Sequence, residues 1–384
     1  MGANPIVDSA QSGLRALVCA VLCSLTCGCG GGSSSASTGT TPLPAPTTDT
    51  LLAVTNATAG SIDLFTVDTT TGVPTSVASN PMPDGPMPAA VAIDPLKRFL
   101  YVASTSGELG GYVIVPSTLN LTAVAGSPFS TGAQSIGIAM DPSGQFVLTA
   151  NGSANTVSVF RIGSTGTLTE VAGSPFAAGS NPSAIVVAGD EYVYAANTAG
   201  SSVSAYSLNT TSGALTPVAG SPFATPGLPN GLVVDPAGTH LYASESQPNE
   251  MSGFSIDATT GALSTIPGSP FGASFAIRTP VMDAGGKRLH VANGIDVDCF
   301  EVDANTATLA EIGTSATNGQ SSIALALDGP DNFLYVLDNL GNQIEVFSID
   351  TSSGALTLIN GSPFTLFAGA SNQNLGPNAI AVQH

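Results

Sequence analysis

One guanidinium and a few neutral hydrogen-bonding groups have the best claim to chemistry in this chain of 384 residues. Seven short apolar segments share a pattern whose second residue is, in turn, Ala89, Ile136, Ser183, Asn230, Arg278, Ile323 and Asn378. If these segments line one opening, Ser183, Asn230, Arg278 and Asn378 set a cation among neutral donors and acceptors. That set suits a small carboxylate or a sugar-like ligand, and it equally suits a hydrated channel lining. Glu245 ends the segment Ala243-Ser244-Glu245 and is expected to project towards the same opening. A carboxylate can take a proton from water and a guanidinium can hold an oxyanion, so Glu245 and Arg278 are the pair to which hydrolytic roles can be given.

Other catalytic signatures are missing from the sequence. The histidines are His240, His290 and His384, spread too widely to form a cluster, and the first two read as packing or surface residues. There is no Gly-x-Ser-x-Gly elbow, no Cys-x-x-Cys and no phosphate loop. Cys299 takes the place held by Val159 and Ala205 in neighbouring repeats and reads as a small core residue. Asp296, Asp298, Glu301 and Asp303 form a dense acidic run, but adjacent residues of a strand face opposite ways, so a solvated face is expected rather than a calcium loop. No metal and no cofactor are expected.

The elements that must position these residues are written in a repeat. Gly-Ser-Pro-Phe occurs at Gly126–Phe129, Gly173–Phe176, Gly220–Phe223, Gly268–Phe271 and Gly361–Phe364, with steps of 47, 47, 48 and 93 residues. The last step is two periods, and degenerate copies stand at Gly313-Thr314-Ser315 and Ser79-Asn80-Pro81-Met82, giving seven units. In phase with the tetrad run an apolar segment, Asp-Pro and a second apolar segment, as in Val91–Pro95 into Phe99–Val102. A third landmark is Asp/Asn-x-x-x-Gly, at Asp68, Asn209, Asp257 and Asp350, where a short polar side chain caps a turn and glycine supplies positive φ. Because it recurs in every unit, the tetrad reads as blade packing rather than a site, with Phe between blades and Pro turning the chain. In the fourth unit the segments are 184–188, 192–197, 202–208 and 214–219, and no helical periodicity intervenes. Four strands per period predicts an all-β, seven-bladed propeller over residues 51–384. The first unit lacks an inner strand and the C-terminus supplies a spare, Pro377–Val382, so the tail is expected to complete the blade that residue 51 begins and so to remove two sheet edges.

Residues 1–28 read as a signal peptide: Arg15 precedes an apolar run over 16–26 that is too short to span a bilayer. The run ends in Thr26-Cys27-Gly28-Cys29, which resembles a lipoprotein cleavage box with Cys29 as the lipidated residue, and residues 29–50 read as a tether. Gly30 after that cysteine resembles lipoproteins sent to the outer membrane. The formal charge is −19, and the bases after the leader are only Lys97, Arg98, Arg161, Arg278, Lys287 and Arg288. Nucleic acid and direct contact with an anionic membrane are therefore excluded as partners.

The grammar of Asp-Pro-x-Gly, Leu-Tyr-Val/Ala, Val-x-x-Phe/Tyr and Thr-x-x-Gly-x-Leu-Thr resembles the seven-bladed lactonase-type propellers, which include phosphogluconolactonase and carboxymuconate cyclase. The resemblance implies a site of His, Arg and Glu around the channel. Its Pro-Arg-His stretch falls on Pro229-Asn230-Gly231, its earlier His on Gln134–Gly137 and its Asn-Arg on Asn293-Gly294, so those His and Arg residues are absent; the Glu falls on Glu245. The expectation is a monomeric, lipid-anchored envelope propeller that binds a small molecule or an envelope protein. The alternative is a divergent lactonase with Glu245 as base and Arg278 as anion donor.

Overall fold

The computed structural model describes residues 50–78, 81–132, 134–273, 278–317, 321–366 and 377–383. The chain divides into two units, Met1–Leu43 and Pro44–His384, and everything below belongs to the second. The leader, Cys29 and the tether to residue 49 lie outside the described residues. Seven antiparallel sheets follow one another, each built in the order inner, second, third and outer strand. Blade 4 shows the plan: Pro182–Ala188, Tyr192–Asn197, Ser202–Leu208 and Leu215–Pro217. The inner strands touch in succession round a closed circle. They start at one face of the ring, the mouth. The Asp-Pro turns and the Asp/Asn-x-x-x-Gly turns therefore lie on the far face, and the turns between second and third strands lie on the mouth face.

Second strands are covered on both sides by neighbouring blades, so they are apolar along their whole length instead of alternating; Phe99–Ser104 and Phe333–Asp338 are buried at every residue. The tetrad has a job that its sequence did not show. Its serine hydroxyl accepts the third-strand N–H of Gly111, Val159, Ala205, Gly253 or Val346 at 2.8–3.0 Å, saturating the third strand where the outer strand leaves it. The Pro-Phe that follows starts a two-residue strand, such as Phe129–Ser130, which rejoins the third strand nearer the mouth.

Blade-to-blade contact is also repeated. In five blades the first residue of the second strand lies under the turn glycine of the next blade, with Leu119 and Ala307 in place of that glycine in the other two turns: a Cβ on Gly166 would stand 2.7 Å from the Phe99 ring, and one on Gly213 2.5 Å from Phe146. Two residues further on, a tyrosine hydroxyl donates to a carbonyl of that same turn. Tyr101 reaches Gly166 (2.8 Å), Tyr194 Gly261 (2.8 Å), Tyr242 Ala307 (2.7 Å) and Tyr335 Gly72 (3.2 Å). The last of these joins blade 7 to blade 1. The tail strand Pro377–Val382 joins the two as well, pairing antiparallel with Thr50–Asn56. The ring is therefore sealed as the repeat implied.

In blade 6 this tyrosine is replaced by His290, which is buried, with Cys299 Sγ 3.2 Å from its Nδ1. Burial pushes the imidazole down to about 4 and the thiol up to about 12, so both are neutral in the fold. Since the folded pKa of His290 lies below the unfolded value near 6.5, its neutral form contributes stability that is complete above 6.5 and is lost as pH falls towards 4. Between pH 7 and 5, the wild type should lose about 2 kcal/mol more than a His290→Tyr variant, which restores the residue of the other blades. Urea unfolding at the two pH values checks this, and equal losses would contradict it.

One expectation needs correction at two residues. The acidic run of blade 6 is not one solvated face: Asp298 is fully buried and accepts from Asn293 Nδ2 at 2.8 Å. Asp303 lies past the strand and caps the far-face turn through the N–H groups of Asn305 and Thr306. The alternation of a strand put Asp298 on the inner side, where a column of polar residues already runs between second and third strands.

Candidate functional site

Six of the seven inner strands enter at the mouth with a bulge. The register shifts after the first residue of each, so that Ala89, Ile136, Ser183, Asn230, Ile323 and Asn378 are left out of the ladder in these blades. A bulge re-aims its extra residue, which explains why this column turns to the channel. Arg278 holds the corresponding place in blade 6, ahead of the short strand Pro280–Met282, with its N–H on the Ala292 carbonyl at 2.8 Å.

These entries enclose a cavity of about 550 Å³ lined by Ile136, Ser183, Asn230, Arg278 and Ile323, with Thr279, Ser321, Asn339 and Leu340. Ala89 is not part of its wall, and the side chain of Asn378 lies outside the described residues. The Thr198 hydroxyl donates to the Pro229 carbonyl at 2.7 Å, so Ser183, 2.6 Å away, donates to Thr198 and keeps its lone pairs for an incoming group. Ser244 Oγ stands 3.0 Å from Asn230 Oδ1 and 2.5 Å from the Arg278 carbonyl oxygen. Gly231 makes that junction possible. A Cβ there would lie 2.6 Å from Pro280 Cδ and from Ser244 Oγ, so only glycine lets blade 6 come in beside Asn230.

Arg278 is exposed and forms no ion pair among the described residues. The other bases of the propeller, Lys97, Arg98, Arg161, Lys287 and Arg288, all stand at the far end of their blades, at or beside the Asp-Pro turns and third-strand ends. Arg98, for example, is paired with Asp94 at 2.6 Å. The channel itself changes character along its axis. Near the far end, a second cavity of about 370 Å³ is walled by apolar inner-strand residues, among them Ile93, Val233, Met282, Leu325 and Ile380. The polar groups of the channel are therefore concentrated at the mouth.

Glu245 is the penultimate residue of the second strand of blade 5, His240–Ser246, at the mouth end, but its carboxylate turns into the blade. It is fully buried, Ser252 Oγ donates to Oε1, and Oε2 lies against Gly227, where a Cβ would stand 2.6 Å from it. Burial is the main cause that raises its pKa, opposed by the Ser252 hydroxyl and by the Gly227 amide, which faces Oε2 without forming a well-aligned bond. It does not line the cavity. The same strand position in the other blades is Asn56, Ser104, Asn151, Asn197, Asn293 and Asp338, each buried. Asn151 Nδ2 donates to Ser158 (2.8 Å) and Asn197 Nδ2 to Ser204 (2.9 Å), as Ser252 donates to Glu245. Aligning this column by the Asp-Pro landmark would have shown that Glu245 replaces a repeated asparagine. Asp84, which sequence reasoning passed over, sits on the mouth-side chain that leads into blade 2. The Tyr112 hydroxyl donates to it at 2.5 Å, and burial raises its pKa to about 6.

A closed ring of seven four-stranded blades, with a polar cavity at one end of its channel and apolar walls near the other, defines a seven-bladed β-propeller. The sequence matches the family described as lactonase, 7-bladed beta-propeller over residues 50–175, 167–274 and 285–365, and the chain belongs to that family. No curated protein matches it. Among solved structures it is similar to a candidate 6-phosphogluconolactonase from Bacteroides uniformis ATCC 8492, at TM-score 0.75 and 20% identity over 87% of this chain and 99% of that one. It is also similar to the periplasmic gluconolactonase of Pseudomonas aeruginosa, at TM-score 0.69 and 19% identity over 83% and 99%. Kuenenia stuttgartiensis hydrazine synthase shares the architecture at TM-score 0.56 and 16% identity over 77% and 89%. At such identities the likeness shows the fold alone, which can carry unrelated chemistries.

Proposed function

We propose that this chain is an exported, lipid-anchored envelope propeller whose channel mouth binds a small unphosphorylated sugar-acid lactone, or the carboxylate to which such a lactone opens. The observation that carries this reading is the distribution of charge: Arg278 is the one base at the mouth end among the described residues, in a chain of charge −19. One guanidinium matches one carboxylate in two parallel hydrogen bonds. Ser183 and Asn230 add neutral partners for hydroxyl groups, and the acidic field disfavours a second anionic group on the same ligand. Export and the Cys29 anchor rest on the leader sequence, and the periplasmic location of the Pseudomonas aeruginosa gluconolactonase accords with export. We place the anchor in the outer membrane because Gly30 follows Cys29.

Lactone hydrolysis is the second reading. It is favoured by family membership and by Glu245 standing next in the chain to Ser244, which touches Asn230 and Arg278. Glu245 would take a proton from water as the water oxygen attacks the lactone carbonyl, and Arg278 would hold the oxyanion; collapse of the oxyanion would then break the ring C–O bond, with the proton passing from Glu245 to the departing ring oxygen. The cavity wall has no carboxylate or imidazole of its own, so this reaction requires Glu245 to leave its place against Gly227.

Calorimetric titration with gluconate, δ-gluconolactone and 6-phosphogluconate tests both readings. Gluconate should bind more tightly than its phosphorylated counterpart, and Arg278→Leu should weaken it about 10- to 100-fold, the equivalent of one charge-assisted contact. Equal affinity for the phosphorylated ligand, or an indifferent Arg278→Leu, would sink the binding reading. Turnover of the lactone that disappears in Glu245→Gln would establish the second.

A further inference from the structure

We propose that the outer rim of blade 6 is a strand-addition surface for an extended, basic segment of a partner protein. Six blades keep their rims short. Their outer strands are three residues long, such as Leu121–Ala123 and Leu356–Leu358, and each is followed by a separate two-residue strand, such as Phe129–Ser130 and Phe364–Thr365. A proline stands in that final segment in each case, at 83, 128, 175, 222, 270 or 363. Short edges and edge prolines prevent a sheet from pairing with another chain, because they offer few donors in register. Blade 6 has neither device. Gly313-Thr314-Ser315 replaces the tetrad, no proline occurs, and the outer strand Leu309–Ala316 runs for eight residues along Asp296–Val302. It spans roughly 26 Å. Among the described residues no other strand pairs with it.

This rim has the charge and the texture of a recognition edge. Ala310, Glu311, Ile312, Gly313 and Thr314 are exposed, and Ile312, 43% exposed, is the residue left over where the register shifts. Glu301 is Ala310's ladder partner and is also exposed; Asp296 stands at the other end of the strand and Asp303 in the turn. The nearest guanidinium, Arg288, is committed to the carbonyls of Thr351 (3.1 Å) and Ser352 (2.8 Å) in blade 7. An added strand would gain main-chain hydrogen bonds from the edge, and lysines or arginines at alternate positions on the face of Glu311 would meet that carboxylate, while Glu301, opposite Ala310, adds to the acidic field from the other face. A second copy of this chain is the poorer occupant, since it would bring the same acidic rim and a further charge of −19. The inference is independent of what the channel mouth binds.

Two octapeptides, one alternating Lys with Val and the other Glu with Val, serve as probes. Fluorescence anisotropy with the whole chain should show binding of the Lys peptide, weakened by salt, and at least tenfold weaker binding of the Glu peptide. Hydrogen exchange should show new protection concentrated in residues 309–316. Ile312→Pro should abolish binding. Should that variant fail to fold, Glu311→Lys keeps the strand and should reduce the preference for the Lys peptide at least tenfold. Absence of binding, protection on another blade, or unaltered binding in both variants would overturn the proposal. So would a doubled mass in sedimentation that Glu311→Lys changes, because the occupant would then be a second copy.

Discussion

Deleting residues 377–384 abolishes cooperative folding: the truncated chain shows no sharp thermal transition and elutes expanded or aggregated. The tail strand is the inner strand of blade 1, and its alternate residues serve two neighbours. Ile380 and Val382 enter the cluster of blade 7 with Ala324, Ala326 and Tyr335, while Ala379 and Ala381 pack against the cluster of blade 2 with Val91 and Leu100. One main-chain and one side-chain bond close its end, with Gln383 N–H on the Leu51 carbonyl at 2.8 Å and Gln383 Oε1 accepting from Leu51 N–H at 3.3 Å. Burying an isoleucine and a valine is worth about 1.5–3 kcal/mol each and every ladder bond roughly 1, so the loss is comparable to the entire stability of an ordinary domain. The deletion also uncovers the edge of Thr50–Asn56, buried in the intact ring. Circular dichroism melts of the two chains decide it. A midpoint within a few degrees of the wild type would mean that the ring is held without its seal.

Much of this architecture was legible because it is written seven times. A period of 47–48 residues, turn residues at fixed offsets and apolar runs between them leave few folds that satisfy all units at once. The missing inner strand at the head and the spare one at the tail followed from the same count. The channel column was also legible, since residues at one offset from a shared landmark meet in a closed ring, and five of the seven line one cavity. The bulge that makes them face inward was not, because a single extra residue leaves no trace in hydrophobic periodicity. Glu245 shows the converse difficulty. Read alone, an acid at a strand end looks chemical; read within its column it stands where other blades bury Asn, Ser or Asp. The role of the tetrad serine was hidden because a side chain accepting a main-chain N–H some sixteen residues away in sequence depends on how the strand turns, not on residue type alone.

Gly72→Ala should be strongly destabilising, because the added methyl group falls where the last blade meets the first. Gly72 has φ +74°, where a side chain is strained, and a Cβ there would overlap the Phe333 ring of blade 7. That ring cannot step aside: Phe333 is 7% exposed and belongs to the cluster that also holds Val67, Tyr335 and Val382. The same turn carries the carbonyl that receives Tyr335 Oη at 3.2 Å, so backbone movement to relieve the overlap gives up a second link between the last blade and the first. Strain of about 1–2 kcal/mol together with overpacking of about 1–3 predicts a loss of about 3 kcal/mol or more. Phe333→Leu/Gly72→Ala separates the two causes. If the aromatic ring against glycine is the unit of blade-to-blade packing, the double variant loses clearly less than the sum of the single losses, and the coupling exceeds about 1 kcal/mol. Gly213→Ala with Phe146→Leu repeats the cycle between blades 3 and 4, where a Cβ would lie 2.5 Å from the ring. Additive losses in both cycles would show that positive φ, and not the neighbouring blade, fixes these glycines. Coupling at both sites would show that the contact which sets one blade against the next is also the contact that closes the ring.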